Sequence, residues 1–95
     1  LPGIREGATH IWHQFVIRTE RRQELINYLD RNEIGTIIHY PIPPHLSEAY
    51  QYLNIREGSL PITEKYAETV LSIPLYNGMT ADEQQYVIET LNSFQ

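Results

Sequence analysis

The stretch "IWHQFVIRTERRQELINYLDRN", Ile11 to Asn32, decides how this chain is read. Its first nine residues alternate. His13, Phe15 and Ile17 fall on one face, and Trp12, Gln14, Val16 and Arg18 on the other. A period of two in aromatic and β-branched residues predicts a strand. From Glu20 the period changes. Leu25, Ile26 and Leu29 recur at helical spacing with charges between them, and Thr19 or Glu20 stands near the start. This predicts an amphipathic helix over 20–32.

Working outward, "EIGTIIHY" (33–40) predicts a second strand, stopped by Pro41. "LSEAYQYL" (46–53) predicts a short helix with Ser47 as N-cap, and "NIREGS" (54–59) a loop. "LPITEKYAETVL" (60–71) predicts a helix with Pro61 in its first turn and the pairs Tyr66/Val70 and Ala67/Leu71 at i,i+4. "SIPLY" (72–76) is a short extended piece, placed at a sheet edge by Pro74. The last helix, 80–94, opens with Thr80 and with Glu83 three residues later, a capping box, and buries Val87, Ile88, Leu91 and Phe94. The order β-α-β-α-α-β-α predicts an α+β fold. It is a small antiparallel or mixed sheet of about three strands, covered by helices on one side. Residues 1–9, with one Pro and two Gly, predict a connector, leaving 10–95 as the domain.

With 95 residues there is room for one small domain. Such a domain hides about 60–65% of the surface its unfolded chain exposes. The bare face of the sheet therefore calls for cover from a larger protein, and a chain opening on Leu1 is read as a piece of one. A net charge of -5 and the lack of a basic stripe argue against nucleic acid as partner. No apolar run approaches the ~18 residues of a membrane span, so no membrane partner is expected. The lack of cysteine removes disulfides and thiolate metal sites and makes a reducing, cytoplasmic setting the expectation.

The chemistry concentrates in "HYPIPPH", His39 to His45. Tyr40, Ile42 and Pro43 each precede a proline, which drives them to extended conformations. The loop is stiff before any ligand arrives, so its rings lose little entropy on binding. That suits an anionic or sugar-like ligand. Zinc is the rival reading, through His10, His13, His39 and His45. Its donors must lie about 2.0–2.1 Å from one ion. Six polyproline steps of about 3.1 Å put the Cα atoms of His39 and His45 roughly 19 Å apart, and no metal site is expected. The plain structural alternative has His39 packing beneath the helices and His45 capping or facing water. Ser47, Ser59 and Ser72 sit in no nucleophile elbow, and the glycines form no phosphate loop. Lys65, the single lysine, is expected in solvent. Tyr28, Tyr66 and Tyr86 are expected as half-buried packing residues with wet hydroxyls. The residues alone describe an acidic α+β domain with a ring-bearing loop and name no reaction.

The succession "HIWHQFVIR", "IGTIIHYPIPPH", "EAYQYL" and "LPITEKYAETVLSIPLYNGMT" resembles the C-terminal part of sugar aminotransferases of the DegT/DnrJ/StrS family, across nearly the whole chain. The resemblance implies the small C-terminal domain of the aspartate aminotransferase (fold type I) architecture, with residues 1–9 leading from a large pyridoxal 5'-phosphate domain. It implies a homodimeric parent that moves an amino group from glutamate to a keto group of a nucleotide-linked deoxy sugar. The "IPPH" form is similar to members acting at the 3-keto position of a dTDP sugar, for surface polysaccharide, lipopolysaccharide or antibiotic sugars. His39, Tyr40 and His45 are then substrate-binding candidates. No catalytic or cofactor-binding residue is implied here, because the family's lysine lies in the large domain. The fragment alone is expected to be inactive. A stand-alone nucleotide-sugar-binding or regulatory module is the alternative, and a dehydrating relative a third. Two positions depart from the pattern. Glu33 stands where the family has Gly in a left-handed helix exit, so the cap is expected to shift to Asn32. Ser47-Glu48 replaces Gln-Pro, and Glu48 is expected to face away from a pyrophosphate.

Overall fold

A computed structural model describes residues 1–95. β1 is Phe15–Arg18, α1 Arg22–Arg31, α2 Pro61–Thr69, β2 Val70–Ile73 and α3 Ala81–Asn92. Two 3-10 turns, Pro44–Leu46 and Glu48–Leu53, lie between α1 and α2. β1 and β2 pair antiparallel, with Phe15 opposite Ile73 and Ile17 opposite Leu71. The small α+β sheet is thus two-stranded and antiparallel.

The third strand is reduced to one bridge. Ile37 and Ser72 exchange both backbone hydrogen bonds, at 3.1 and 2.8 Å, and pairing goes no further. The ladder cannot run on past Tyr40, because Pro41, Pro43 and Pro44 have no N–H to give. It cannot run back either, because Glu33 is left-handed at φ +58°. β2 therefore has neighbours on both sides at Ser72 and an open edge elsewhere. β1 is also shorter than its alternation predicts. Trp12 has φ +50°, with its N–H bonded to His10 Nδ1, which breaks the extended run ahead of Phe15.

The exit from α1 corrects the expected cap. Asn32 keeps φ -98°, and Glu33 itself takes the left-handed position. The N–H of Glu33 bonds to Asp30 O and that of Ile34 to Leu29 O, both at 2.9 Å. This is a Schellman motif, and its apolar pair is Leu29 with Ile34, both buried. Burying Ile34 over Leu29 outweighs the cost of a glutamate in a glycine's place. α2 stops at Thr69, two residues short of expectation. Val70 and Leu71 pair with Arg18 and Ile17 in the sheet, so the helical i,i+4 pairs with Tyr66 and Ala67 do not exist. The segment after Ser47 is 3-10, and Ser47 Oγ bonds back to Pro44 O in place of capping. α3 has the full capping box between Thr80 and Glu83.

Ile17, Leu25, Leu29, Ile34, Leu71 and Val87 form the core between one sheet face, α1 and α3. Ile88 is exposed and does not belong to it. By the strand's period of two, Val70 and Ser72 point to the opposite face, toward α2 and the proline loop. Only 12 of 95 residues are buried. The radius of gyration is 15.8 Å, against roughly 12 Å for a compact chain of this length. The body measures 48 × 37 × 22 Å, a plate with a thin core.

Candidate functional site

The loop His39–His45 crosses the face of the sheet away from the core. It is fastened at both ends. At the first, His39 is half-buried and its Nδ1 lies 2.9 Å from the hydroxyl of buried Ser72 on β2. At the second, His45 is buried and its Nε2 lies 2.8 Å from Glu64 Oε1 on α2. A carboxylate only accepts, so this ring nitrogen carries the hydrogen and donates it. The turn at Pro44–Leu46 swings the imidazole inward, with the N–H of Leu46 bonded to Pro43 O.

Between the two fastenings the chain stands clear. Tyr40 is 69% exposed and meets His39 edge-on, ring centroids 5.4 Å apart. The His39–Tyr40 peptide is cis. Beneath the loop lies a cavity of about 400 Å³, floored by Ile62, Tyr66 and Val70. Tyr66 also carries the Arg18 guanidinium over its ring, 4.3 Å from the centroid. The site therefore offers a phenol, an imidazole edge and an apolar floor, a set that can hydrogen-bond a polar ligand and stack against a ring.

Glu64 gathers three segments. Besides His45, its carboxylate accepts from the N–H of Gly58, at 2.8 and 2.9 Å, and from the N–H of Leu60 at 3.3 Å. Gly58 has φ +88°, a conformation that favours glycine. The hydrogen bond from His45, then those from Gly58 and Leu60, hold the Glu64 carboxyl below its ordinary range, against partial desolvation. His45 Nδ1 is buried and has no partner.

Of the three sequence candidates, the structure brings His39 and Tyr40 to one rim. His45 lies under it, turned into α2. Sequence reading did not single out Glu64 or assign Ser72 to the loop. An acid in the first turn after Pro61 was a visible signal for Glu64, since it can reach back to free N–H groups. Its histidine, nineteen residues away, was not. Lys65 is exposed, 3.2 Å from Glu20 Oε1. His10 stacks on Trp12, and His13 is exposed, so neither joins the loop histidines.

A profile of the DegT/DnrJ/EryC1/StrS aminotransferase family matches residues 2–92. The chain belongs to this family. It is 41% identical, over 99% of its length, to the dTDP-3-amino-3,4,6-trideoxy-alpha-D-glucose transaminase of Streptomyces venezuelae. It is 37% identical, again over 99% of its length, to the dTDP-3-amino-3,6-dideoxy-alpha-D-galactopyranose transaminase of Aneurinibacillus thermoaerophilus. The crystal structure of S. venezuelae DesV in complex with a ketimine intermediate superposes with a TM-score of 0.89 and 42% identity, over 96% of this chain and 24% of that one. The chain spans about a quarter of the length of the curated relatives it matches.

The family's cofactor does not fit these residues by themselves. Its lysine must sit in a tuned or sheltered niche. Lys65 stands in solvent, and Glu20, Glu64 and Glu68 line the hollow beside it, where a phosphate would meet negative charge. Nothing in the chain's geometry offers a second amine.

Proposed function

We propose that this chain is the small lobe of a nucleotide-sugar aminotransferase and that it supplies the rim that holds the sugar substrate. Residues 10–95 are the lobe, and residues 1–9, exposed and without helix or strand, lead into it from a large domain. The observation that carries this reading is the two-point mount of the His39–His45 loop, which leaves Tyr40 exposed on a rigid span in a family of sugar aminotransferases.

In this reading Tyr40 donates its hydroxyl to the sugar or its diphosphate, and the free edge of His39 adds a second contact. His45 serves the rim from below. The amino group comes from glutamate by way of pyridoxal 5'-phosphate, held by a lysine of the large domain. This chain binds and orients. The substrate is a dTDP-linked 3-keto-6-deoxyhexose, a choice supported by two relatives that are transaminases named for dTDP-3-amino sugars. The product serves cell-surface polysaccharide or related amino-sugar synthesis in the cytoplasm. The flat, thin-cored body also supports a lobe that lies against something larger. So does an open apolar groove of about 410 Å³ between the end of the sheet and α3, lined by Phe15, Ile73, Met79, Val87 and Leu91. A homodimer of such chains completes the assembly.

The test uses the full-length polypeptide with glutamate, pyridoxal phosphate and a dTDP-3-keto-6-deoxyhexose, with the aminated product followed by mass. Loss of one net hydrogen bond, about 0.5–1.5 kcal/mol, predicts that Tyr40→Phe raises the sugar KM about 2- to 10-fold. Its melting temperature should not move, because the hydroxyl is in solvent. A protein that binds the nucleotide sugar without aminating it is a binding module instead, and one that shows the same sugar KM with Tyr40→Ala does not use this rim.

A further inference from the structure

The structure assigns His45 a task that sequence and family membership leave open. We infer that His45 is a positioning residue, which sets the Tyr40 rim for substrate by clasping Glu64 without touching the substrate itself. The inference rests on the preceding reading of the rim as the sugar-binding edge.

Three observations carry it. First, His45 is 7% exposed, and its one partnered ring atom is spent on Glu64. Its other ring nitrogen, Nδ1, is buried and unpartnered, out of reach of a ligand at the rim. Second, packing does not hold the span it terminates. An open hollow of about 400 Å³ separates Tyr40, Ile42 and Pro43 of the loop from Ile62 and Tyr66 of α2, and Tyr40 and Ile42 are exposed. The height of the rim is then set by its two ends. The three prolines between them pass a displacement at one end along the span with little room to absorb it. Third, Glu64 is itself fixed from three directions, by Gly58, Leu60 and His45. It ties the loop to the first turn of α2 and to the turn before it. A mobile carboxylate would make a poor anchor, and this one is held by four hydrogen bonds.

The anchor needs one N–H at the place of His45 Nε2. Glutamine can put its amide N–H there. Asparagine is polar but too short, and leucine fills the space without donating. Loss of the donor frees the C-terminal end of the span and loosens Tyr40. Binding of the nucleotide sugar should weaken, while steps that do not use the rim should be spared.

The experiment measures, in the full-length protein, the KM for the dTDP-3-keto sugar, the KM for glutamate and the melting temperature. His45→Leu is expected to raise the sugar KM at least 10-fold and to leave the glutamate KM within 2-fold. His45→Gln is expected to restore the sugar KM to within about 3-fold of the natural protein. If His45→Leu does not fold, His45→Asn takes its place with the same expected loss. The proposal is overturned if the Leu or Asn protein keeps the natural sugar KM, if both KM values rise together, or if Gln fails to rescue. These outcomes are separate from failure of the rim reading, which would show as an unchanged sugar KM in Tyr40→Ala; the His45 proposal is overturned on its own when Tyr40→Ala raises the sugar KM and His45→Leu does not.

Discussion

His45 Nε2 sits 2.8 Å from Glu64 Oε1, and this one hydrogen bond ties the end of the loop to a helix residue nineteen positions further along the chain. Neither partner is free to serve elsewhere. The carboxylate also accepts from Gly58 and Leu60, and the ring is buried. The result is a joint where a stiff loop, a glycine turn and a helix N-terminus meet.

That joint has a pH signature. The hydrogen bonds from His45, Gly58 and Leu60 lower the Glu64 carboxyl from its ordinary value of 4.5. A carboxyl lowered in the folded state gives stability that is fully present above the unfolded value. The stability is lost as pH falls from there through the folded value. Glu24, lowered by Arg21, and Glu83, lowered chiefly by the Thr80 N–H, follow the same sign. Thermal melts between pH 7 and pH 3 should therefore show a shallower acid decline for Glu64→Gln than for the natural chain. Parallel curves would mean that the carboxylate is not tied as described.

The α1 exit predicts a stabilising change. A non-glycine residue in the left-handed region costs roughly 1–2 kcal/mol, and glycine gives back part of that relief through its freer unfolded chain. Glu33→Gly should stabilise by about 0.5–1 kcal/mol, read as a higher urea midpoint at unchanged slope. Glu33→Val, β-branched at φ +58°, should destabilise. A lower midpoint for the glycine variant would show that the glutamate side chain matters more than its backbone.

Leu29 is fully buried at the meeting of α1, the Schellman pair and the sheet. Leu29→Ala should cost about 2–5 kcal/mol, a large part of the stability of a domain this size. With so few buried residues there is little else to take up the cavity. Circular dichroism at 25 °C should find the variant partly unfolded, and a midpoint within error of the natural chain would refute this account of the core.

Local chemistry was legible where neighbours in sequence decide the outcome. The Thr80–Glu83 capping box, the amphipathic faces of α1 and α3 and the stiffness of the proline loop all follow from residues within one or two turns of each other. Where two demands competed, sequence alone chose the wrong one. Val70 and Leu71 continue a helical pattern, yet they are worth more opposite Arg18 and Ile17. Asn32 has the better intrinsic tolerance for the left-handed turn, yet the cap goes to Glu33, because only that register lays Ile34 over Leu29. Propensities differ by about a kcal/mol or less, and burial of a branched side chain by about two or three, so tertiary packing wins such contests.

The amino-acid sequence by itself determined that Tyr40, Ile42 and Pro43 are steered away from helix by the prolines that follow them, because proline geometry is set within the residue and its neighbour; the 3-10 turn at Pro44–Leu46 that ends the loop was not legible there. It also determined that Lys65 is the one lysine these residues offer. Only the tertiary structure decided which of the two loop histidines faces out. That choice depends on where Ser72 and Glu64 arrive in space, thirty-three and nineteen residues down the chain, and no local pattern carries such distances.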